Sequence, residues 1–231
     1  MTDRVAIITG GTGALGQAVT LRLLAGGARV ALPWIVKEEE TRLLARLPAD
    51  VRDRVLTTEA DVLDDRRMGA FVDAVVARFS GVDILVSLVG GFAGGSLVET
   101  DRATWDRMLG MNLTSAFTAC RAVVPRMLAG NYGRVVLTAS RAVLPPAAGF
   151  FAYTVSKSAV VAFTRALAAE TRGRGVTVNA VAPSTMDTSA NRAAMPTADR
   201  SGWVQVESVA DAIAFLASEA AAHVSGTIVT I

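Results

Sequence analysis

The strongest constraint on the fold is an alternation. Along the 231-residue chain, short runs rich in β-branched residues take turns with longer stretches of helical periodicity. Strands are predicted at Val5–Thr9, Arg29–Leu32, Val55–Ala60, Val82–Val86, Arg134–Ala139, Thr177–Ala182 and Thr227–Ile231. Helices are predicted between them, near Leu15–Ala25, Glu38–Leu47, Asp65–Phe79, Arg102–Ala129, Tyr153–Thr171 and Ser208–Ser218. Strands such as Val82-Asp83-Ile84-Leu85-Val86 are apolar almost throughout, as in a parallel sheet covered on both faces. Repeated βαβ units then predict a doubly wound sheet of about seven parallel strands. Two irregular stretches, Gly90–Glu99 and Pro183–Gln205, follow strands. They belong at the carboxyl edge of the sheet, where such folds bind ligands.

The first strand runs into Thr9-Gly10-Gly11-Thr12-Gly13-Ala14-Leu15-Gly16. Glycines at this strand-to-helix turn let the backbone approach a pyrophosphate, and the helix N-terminus presents its free N–H groups to it. A glycine-rich turn alone is a weak signal, but its position opening a βαβ unit points to a dinucleotide site. The fold expected is therefore a Rossmann-type α/β domain covering residues 1–231. Where the second strand ends, an acid normally holds the ribose hydroxyls of NAD. Here the position is Trp34, with Lys37 close by and Glu38 beyond it. The missing acid gives a slight lean to NADP(H) over NAD(H).

Other chemistries are closed off by composition. Hydrophobic residues make up 52% of the chain, enough to bury a large core. Basic residues outnumber acidic ones by only 23 to 21, and no Lys/Arg block carries interleaved aromatics. No nucleic-acid partner is expected. The most apolar stretch, Ala142–Val155, is broken by Pro145 and Pro146, and Met1-Thr2-Asp3-Arg4 leads straight into an apolar strand, so no signal peptide is expected. A cytoplasmic protein with no membrane partner is expected. Cys120 and His223 are the sole residues of their types. They allow no disulfide and no His or Cys metal cluster, so no metal is expected, and a Ser-His-Asp hydrolase would depend on His223 alone. Cys120 reads as a small core residue and His223 as structural.

Tyr153-Thr154-Val155-Ser156-Lys157 puts Tyr153 and Lys157 four apart, on one helix face. A nearby ammonium lowers a tyrosine pKa from about 10, which fits the phenol for proton transfer to a carbonyl oxygen. An ordinary surface pair is as good an explanation of the spacing alone. Ser140 adds weight: it follows the strand Arg134–Ala139, and its hydroxyl is a candidate donor to the same substrate oxygen.

These motifs together resemble the short-chain dehydrogenase/reductase family along essentially the whole chain. Thr9–Gly16 is similar to its TGxxxGxG turn, and Asp61-Val62 to its adenine-contacting acidic dipeptide. Asn112 is similar to the helix asparagine that organises a proton-relay water. The resemblance implies four catalytic residues: Asn112, Ser140 polarising the substrate, Tyr153 as acid/base, and Lys157 binding the nicotinamide ribose and tuning Tyr153. It also implies cofactor contacts from Gly10, Thr12, Gly13, Ala14, Leu15, Gly16, Trp34, Lys37, Asp61, Val62, Gly90, Tyr153 and Lys157. Pro183, Thr185 and Thr188, in a segment resembling PGxxxT, would lie beside the carboxamide. The family further implies a homodimer or homotetramer built on the long helices Arg102–Ala129 and Tyr153–Thr171.

There are departures from the pattern. Ala14 stands for a glycine, Ser87-Leu88-Val89-Gly90 for Asn-Asn-Ala-Gly, and Ser184 for the Gly after Pro183. Two loops are similar to those of the dihydropteridine reductases within that family. They are Gly90–Gly95, with Phe92 at its centre, and Asp187–Trp203. Phe92, Phe151, Met186 and Trp203 are candidate walls of the substrate pocket, with Phe150 beside them; ordinary packing explains each equally well. Arg141, Arg192 and Asp199 are candidate polar contacts, or a solvated loop face. The function expected is NAD(P)(H)-dependent hydride transfer to or from a small carbonyl or pterin-like substrate. The alternatives are a non-catalytic nucleotide sensor or scaffold, and an acyl-carrier thioester reductase.

Overall fold

The computed structural model describes residues 1–231. Seven strands form one sheet in the order β3-β2-β1-β4-β5-β6-β7, and every adjacent pair runs parallel. The strands are β1 Val5–Thr9, β2 Arg29–Trp34, β3 Val55–Glu59, β4 Ile84–Ser87, β5 Gly133–Thr138, β6 Val176–Ala182 and β7 Ile228–Thr230. The eight α-helices are α1 Ala14–Ala25, α2 Lys37–Arg46, α3 Asp65–Phe79, α4 Arg102–Leu109, α5 Ser115–Ala129, α6 Phe151–Glu170, α7 Ser189–Ala194 and α8 Val206–Leu216.

Period-2 alternation along buried strands sorts the core into two layers. Val5, Ile7, Leu85, Val135, Leu137, Val178 and Ala180 point to one face and pack against α3, α5 and α6. Their neighbours Ala6, Ile8, Ile84, Val86, Val136 and Val181 point to the other, against α1 and α8. This explains why the strands read as continuous apolar runs: both faces are covered. Strand order reverses between β1 and β4, and the crevice above that switch point faces the end of β1.

Several predicted boundaries shift. The single helix expected at Arg102–Ala129 is divided by a π turn over Gly110–Thr114. Such a turn admits one extra residue and re-aims side chains, commonly at functional sites; here it carries Asn112, which is buried. The second strand runs on to Trp34, two residues past its predicted end. Pro33 is tolerated there because pairing with β1 stops at Ala31, so the missing N–H interrupts no ladder on that side. A 3₁₀ turn at Ala49–Arg54 and the short helix α7 were not expected. Thr188 caps α7 by accepting from the Asn191 N–H at 3.2 Å. No helix is long and apolar enough to cross a membrane.

Candidate active site

The turn between β1 and α1 is shaped by glycine. Gly10 has φ +68°, and a Cβ there would lie 2.9 Å from the Val89 backbone nitrogen. A Cβ on Gly16 would overlap the Gly10 carbonyl oxygen. Gly13 differs: its φ is −73°, and an added Cβ would meet no protein atom closer than 3.5 Å. Gly13 is also the N-cap of α1, with no side-chain cap and no acid in the first turn. The first N–H groups of α1 are left for an anion.

Around this turn, Thr12 donates its hydroxyl to Glu39 at 3.0 Å. Trp34 has a buried indole N–H with no partner. Lys37 Nζ lies 4.8 Å from the centre of the Trp34 ring and 2.9 Å from the Glu40 carboxylate. Its charge is therefore shared with an acid. Asp61 accepts from the Leu63 N–H at 2.9 Å, and Val62 is buried in the core.

The second part of the site gathers at the carboxyl ends of β4, β5 and β6. Ser140, two residues beyond β5, is buried and accepts from the Ala142 N–H at 3.2 Å. Tyr153 and Lys157 lie one turn apart on α6. Burial pushes the Tyr153 phenol above its usual value, and the neighbouring Ser140 hydroxyl works against that rise. Lys157 is buried and donates to the Thr138 carbonyl at 2.8 Å. Burial pulls its ammonium down to about 8. The expectation that Lys157 lowers the Tyr153 pKa is corrected here: Tyr153 is raised, and the lysine, anchored on Thr138, does not contribute.

Asn112 ties the parts together. Its Oδ1 accepts from the Gly91 N–H at 2.9 Å, and its Nδ2 donates to the Gly91 carbonyl at 3.1 Å. The same Nδ2 donates to Ser156 Oγ at 2.9 Å, and Ser156 donates to the Tyr153 carbonyl at 2.8 Å. A Cβ on Gly90 would lie 2.7 Å from Asn112 Oδ1 and 3.2 Å from Lys157 Nζ, so only glycine fits between them. Ser156 and the Thr138 carbonyl were missed by sequence reasoning. Ser156 had a signal, since it lies within Tyr153–Lys157; a backbone carbonyl on another strand had none.

Of the pocket candidates, Phe92 meets Tyr153 edge-on at 5.0 Å and Phe150 at 5.4 Å. Phe151, another candidate wall, stacks on Trp105 at 6.2 Å, while its neighbour Phe150 faces Phe92. Phe150 is the N-cap of α6, with a non-helical φ of −140°, and Phe151 is the first helical residue, so the two rings leave the chain in different directions. Met186 pairs with Val204 in an isolated bridge, which closes the Pro183–Gln205 segment on itself. Trp203 lies under the Arg200 guanidinium at 5.6 Å. Arg192 is bound to Asp187 by two contacts, 2.5 and 2.7 Å, and Asp199 accepts from Ser201. Both of these side chains are committed to holding the segment. The Pro183 carbonyl accepts from the Arg141 N–H at 3.0 Å, and the Thr185 carbonyl from the Val204 N–H at 2.9 Å. Cys120 is buried, with its thiol pushed up to about 12 by desolvation, and His223 lies far along the chain near β7.

The chain matches the family model for short chain dehydrogenases over residues 4–199. It is 34% identical to 2-(R)-hydroxypropyl-CoM dehydrogenase of Xanthobacter autotrophicus, an alignment covering 97% of this chain and 95% of the relative. It is also 34% identical to D-threitol dehydrogenase of Mycolicibacterium smegmatis, covering 98% and 90%. Among solved structures, levodione reductase superposes with a TM-score of 0.92 at 29% identity, covering 100% of this chain and 96% of that one. NAD+-bound xylitol dehydrogenase superposes with a TM-score of 0.89 over 100% and 98%, and at 24% identity it speaks to the fold alone. The chain belongs to the short-chain dehydrogenase/reductase family and is an oxidoreductase acting between CH–OH and C=O groups.

Proposed function

We propose that this protein exchanges hydride between a nicotinamide dinucleotide and a small carbonyl or alcohol, with Tyr153 as the general acid/base. The observation that carries this reading is the convergence of Ser140, Tyr153, Lys157 and Asn112 on one mouth beside Gly90. The nicotinamide, when bound, supplies or accepts the hydride. The protein must hold the substrate oxygen and move one proton. Ser140 donates to that oxygen, and Tyr153 transfers the proton to it. The Tyr153 phenol, its pKa raised by burial, is protonated near neutral pH, the form that donates to a carbonyl oxygen during reduction. Asn112 positions the Gly90–Phe92 loop against α6. Phe92 and Phe150 offer an aromatic wall to a cyclic or aromatic carbonyl compound, pterin-like ones included.

The residues fit the dinucleotide. Gly10, Thr12, Gly13, Ala14, Leu15 and Gly16 would hold the pyrophosphate on the uncapped start of α1. Trp34, with its unpaired indole N–H, and Lys37 would face the adenosine ribose. Asp61 and Val62 would contact the adenine. Gly90, Tyr153 and Lys157 would contact the nicotinamide ribose, and Pro183, Thr185 and Thr188 the carboxamide. The choice within NAD(P)(H) turns on charge. Lys37 is engaged by Glu40, and Glu39 stands at the lip of the turn on Thr12. Carboxylates at that place disfavour a 2′-phosphate, so NAD(H) replaces the slight lean to NADP(H) that the missing acid at Trp34 and the nearby Lys37 suggest.

Self-association through α4, α5 and α6 follows from the apolar side chains left there: Phe117 is 45% exposed and Phe151 37%. A homodimer or homotetramer is the expected state, and light scattering at micromolar protein reads it directly. The reaction is tested by a panel of cyclic ketones, aliphatic ketones, polyols and quinonoid dihydropterin. Each is followed by nicotinamide absorbance with both cofactors. Turnover of a ketone with NADH, lost in Tyr153→Phe, supports the assignment. Binding of neither NADH nor NADPH at millimolar concentration rejects it.

A further inference from the structure

The buried amide of Asn112 is held in one orientation. Gly91 offers it a donor and an acceptor: the Gly91 N–H donates to Oδ1 at 2.9 Å, and the Gly91 carbonyl accepts from Nδ2 at 3.1 Å. Turning the amide over would set donor against donor and oxygen against oxygen, so the two bonds fix its direction. One Nδ2 hydrogen is left, and Ser156 Oγ accepts it at 2.9 Å. The Met108 sulfur, 3.9 Å from Nδ2, is a weak alternative.

Ser156 is fully buried. Because it accepts from Asn112, its own proton must go elsewhere, and it is donated to the Tyr153 carbonyl at 2.8 Å. That carbonyl also closes the helical turn to Lys157. The position therefore calls for a group that accepts and donates at once. A hydroxyl does both, a thiol does both weakly, and alanine does neither.

The chain of contacts returns to its starting point. From the Tyr153 backbone it runs through Ser156 and Asn112 to Gly91, and the next residue, Phe92, meets the Tyr153 ring edge-on at 5.0 Å. The far end of the loop is tied down separately. There the Gly95 N–H donates to the Gly149 carbonyl at 2.8 Å, and the Phe151 N–H donates to the Gly95 carbonyl at 2.9 Å. Between these two anchors Phe92 is exposed at the rim. Its place beside the phenol depends on where Gly91 is held.

We propose that Ser156 is a positioning residue of this site. Through Asn112 it couples the turn of α6 that carries Tyr153 to the Gly91–Phe92 loop, and so sets where the aromatic wall stands relative to the phenol. Its meaning for substrate choice rests on the function proposed above. Ser156→Ala removes the acceptor and the donor together. Exchange of the Gly91 amide, followed by NMR on the intact protein without dinucleotide, should become about tenfold faster, while amides of β6 exchange as in the wild type. In turnover, the ratio of kcat/KM for a cyclic over an aliphatic ketone should fall about threefold, as expected for Phe92→Ala. That ratio is blind to the fraction of enzyme that is folded, so lost stability alone does not move it. Adding Phe92→Ala to Ser156→Ala should lower the ratio no further, because both substitutions disable the same wall. Ser156→Cys, close in size and a weak hydrogen bonder, carries the same test if the alanine variant does not fold. The exchange measurement needs neither cofactor nor turnover, so it still decides the matter if the catalytic reading falls. Unchanged Gly91 exchange overturns the assignment. So does an unchanged ratio where Phe92→Ala lowers it, or additive effects in the double variant.

Discussion

The glycine turn and the Tyr153 mouth lie along the same edge of the sheet and are made of opposite materials. The turn is contiguous, eight residues from Thr9 to Gly16, and the dinucleotide role proposed for it rests on backbone N–H groups and the absence of side chains. The mouth is dispersed. It draws Gly90 from beyond β4, Asn112 from a π turn, Ser140 from beyond β5, and Tyr153 and Lys157 from α6. The chemistry proposed for it belongs to side chains whose acidity is shifted by burial. The contrast teaches that a site built on backbone is fixed by local conformation, whereas a site built on titrating side chains is fixed by what packs around them.

The largest expected effect falls on the mouth. Tyr153→Phe should lower kcat by about 10²-fold or more, the range for losing a general acid. Its dinucleotide Kd should stay within about twofold, since the hydroxyl alone is removed. Stopped-flow single turnover separates the two, and hydride transfer at the wild-type rate would remove Tyr153 from the mechanism.

The next effect divides the turn itself. Gly16→Ala forces a Cβ into the Gly10 carbonyl and should cost about 1–3 kcal/mol of stability, read as a lower Tm. Gly13→Ala has room in the free protein and should leave Tm nearly unchanged. It should nevertheless weaken NADH binding about tenfold, because the added methyl meets the pyrophosphate, a loss of about 1.4 kcal/mol. Equal effects of the two substitutions on Tm would show that both glycines serve the fold alone.

A smaller effect tests burial as the source of the mouth's chemistry. Lys157 has a folded-state pKa of about 8, below its ordinary value of 10.5. Below about pH 8 the lysine is charged in both states, and the full burial penalty weighs on the folded form. Between about pH 8 and 10.5 the folded form sheds its proton first, so this penalty fades and stability from this group rises with pH. Lys157→Met should therefore be more stable than wild type at pH 7, by about 2 kcal/mol, and should lack that rise. Chemical denaturation at several pH values measures both, and a destabilised Lys157→Met contradicts the account. In the wild type, dinucleotide affinity should fall as pH passes about 8, as the ammonium facing the ribose is lost.

Phe92 should show the smallest effect. It is 61% exposed and touches Tyr153 and Phe150 at the rim of the mouth. Phe92→Ala should raise KM for cyclic ketones about threefold with kcat little changed, as for loss of uniform binding. Steady-state kinetics on one cyclic and one aliphatic ketone distinguishes an aromatic wall from a bystander.

Sequence alone determined the parts that depend on local pattern. Apolar runs with turn signals between them sufficed for a doubly wound parallel sheet, because each strand must cover two faces. The spacing of Gly10–Gly16 marked the turn because a strand that runs into a helix through closely spaced glycines can bring its backbone near a phosphate, and the four-residue interval marked Tyr153 with Lys157 because a helix repeats every 3.6 residues. Tertiary structure decided what depends on atoms distant in the chain. The π turn aims Asn112 at Gly91, a contact across 21 residues that no periodicity encodes. Lys157 is anchored on a strand carbonyl, and burial raises Tyr153, reversing the shift that the Tyr-Lys spacing alone implied. Phe150, and not Phe151, meets Phe92, because the chain turns into α6 between the two rings. Spacing says which residues share a face; only the packed neighbours fix the direction of that face and the dielectric around it.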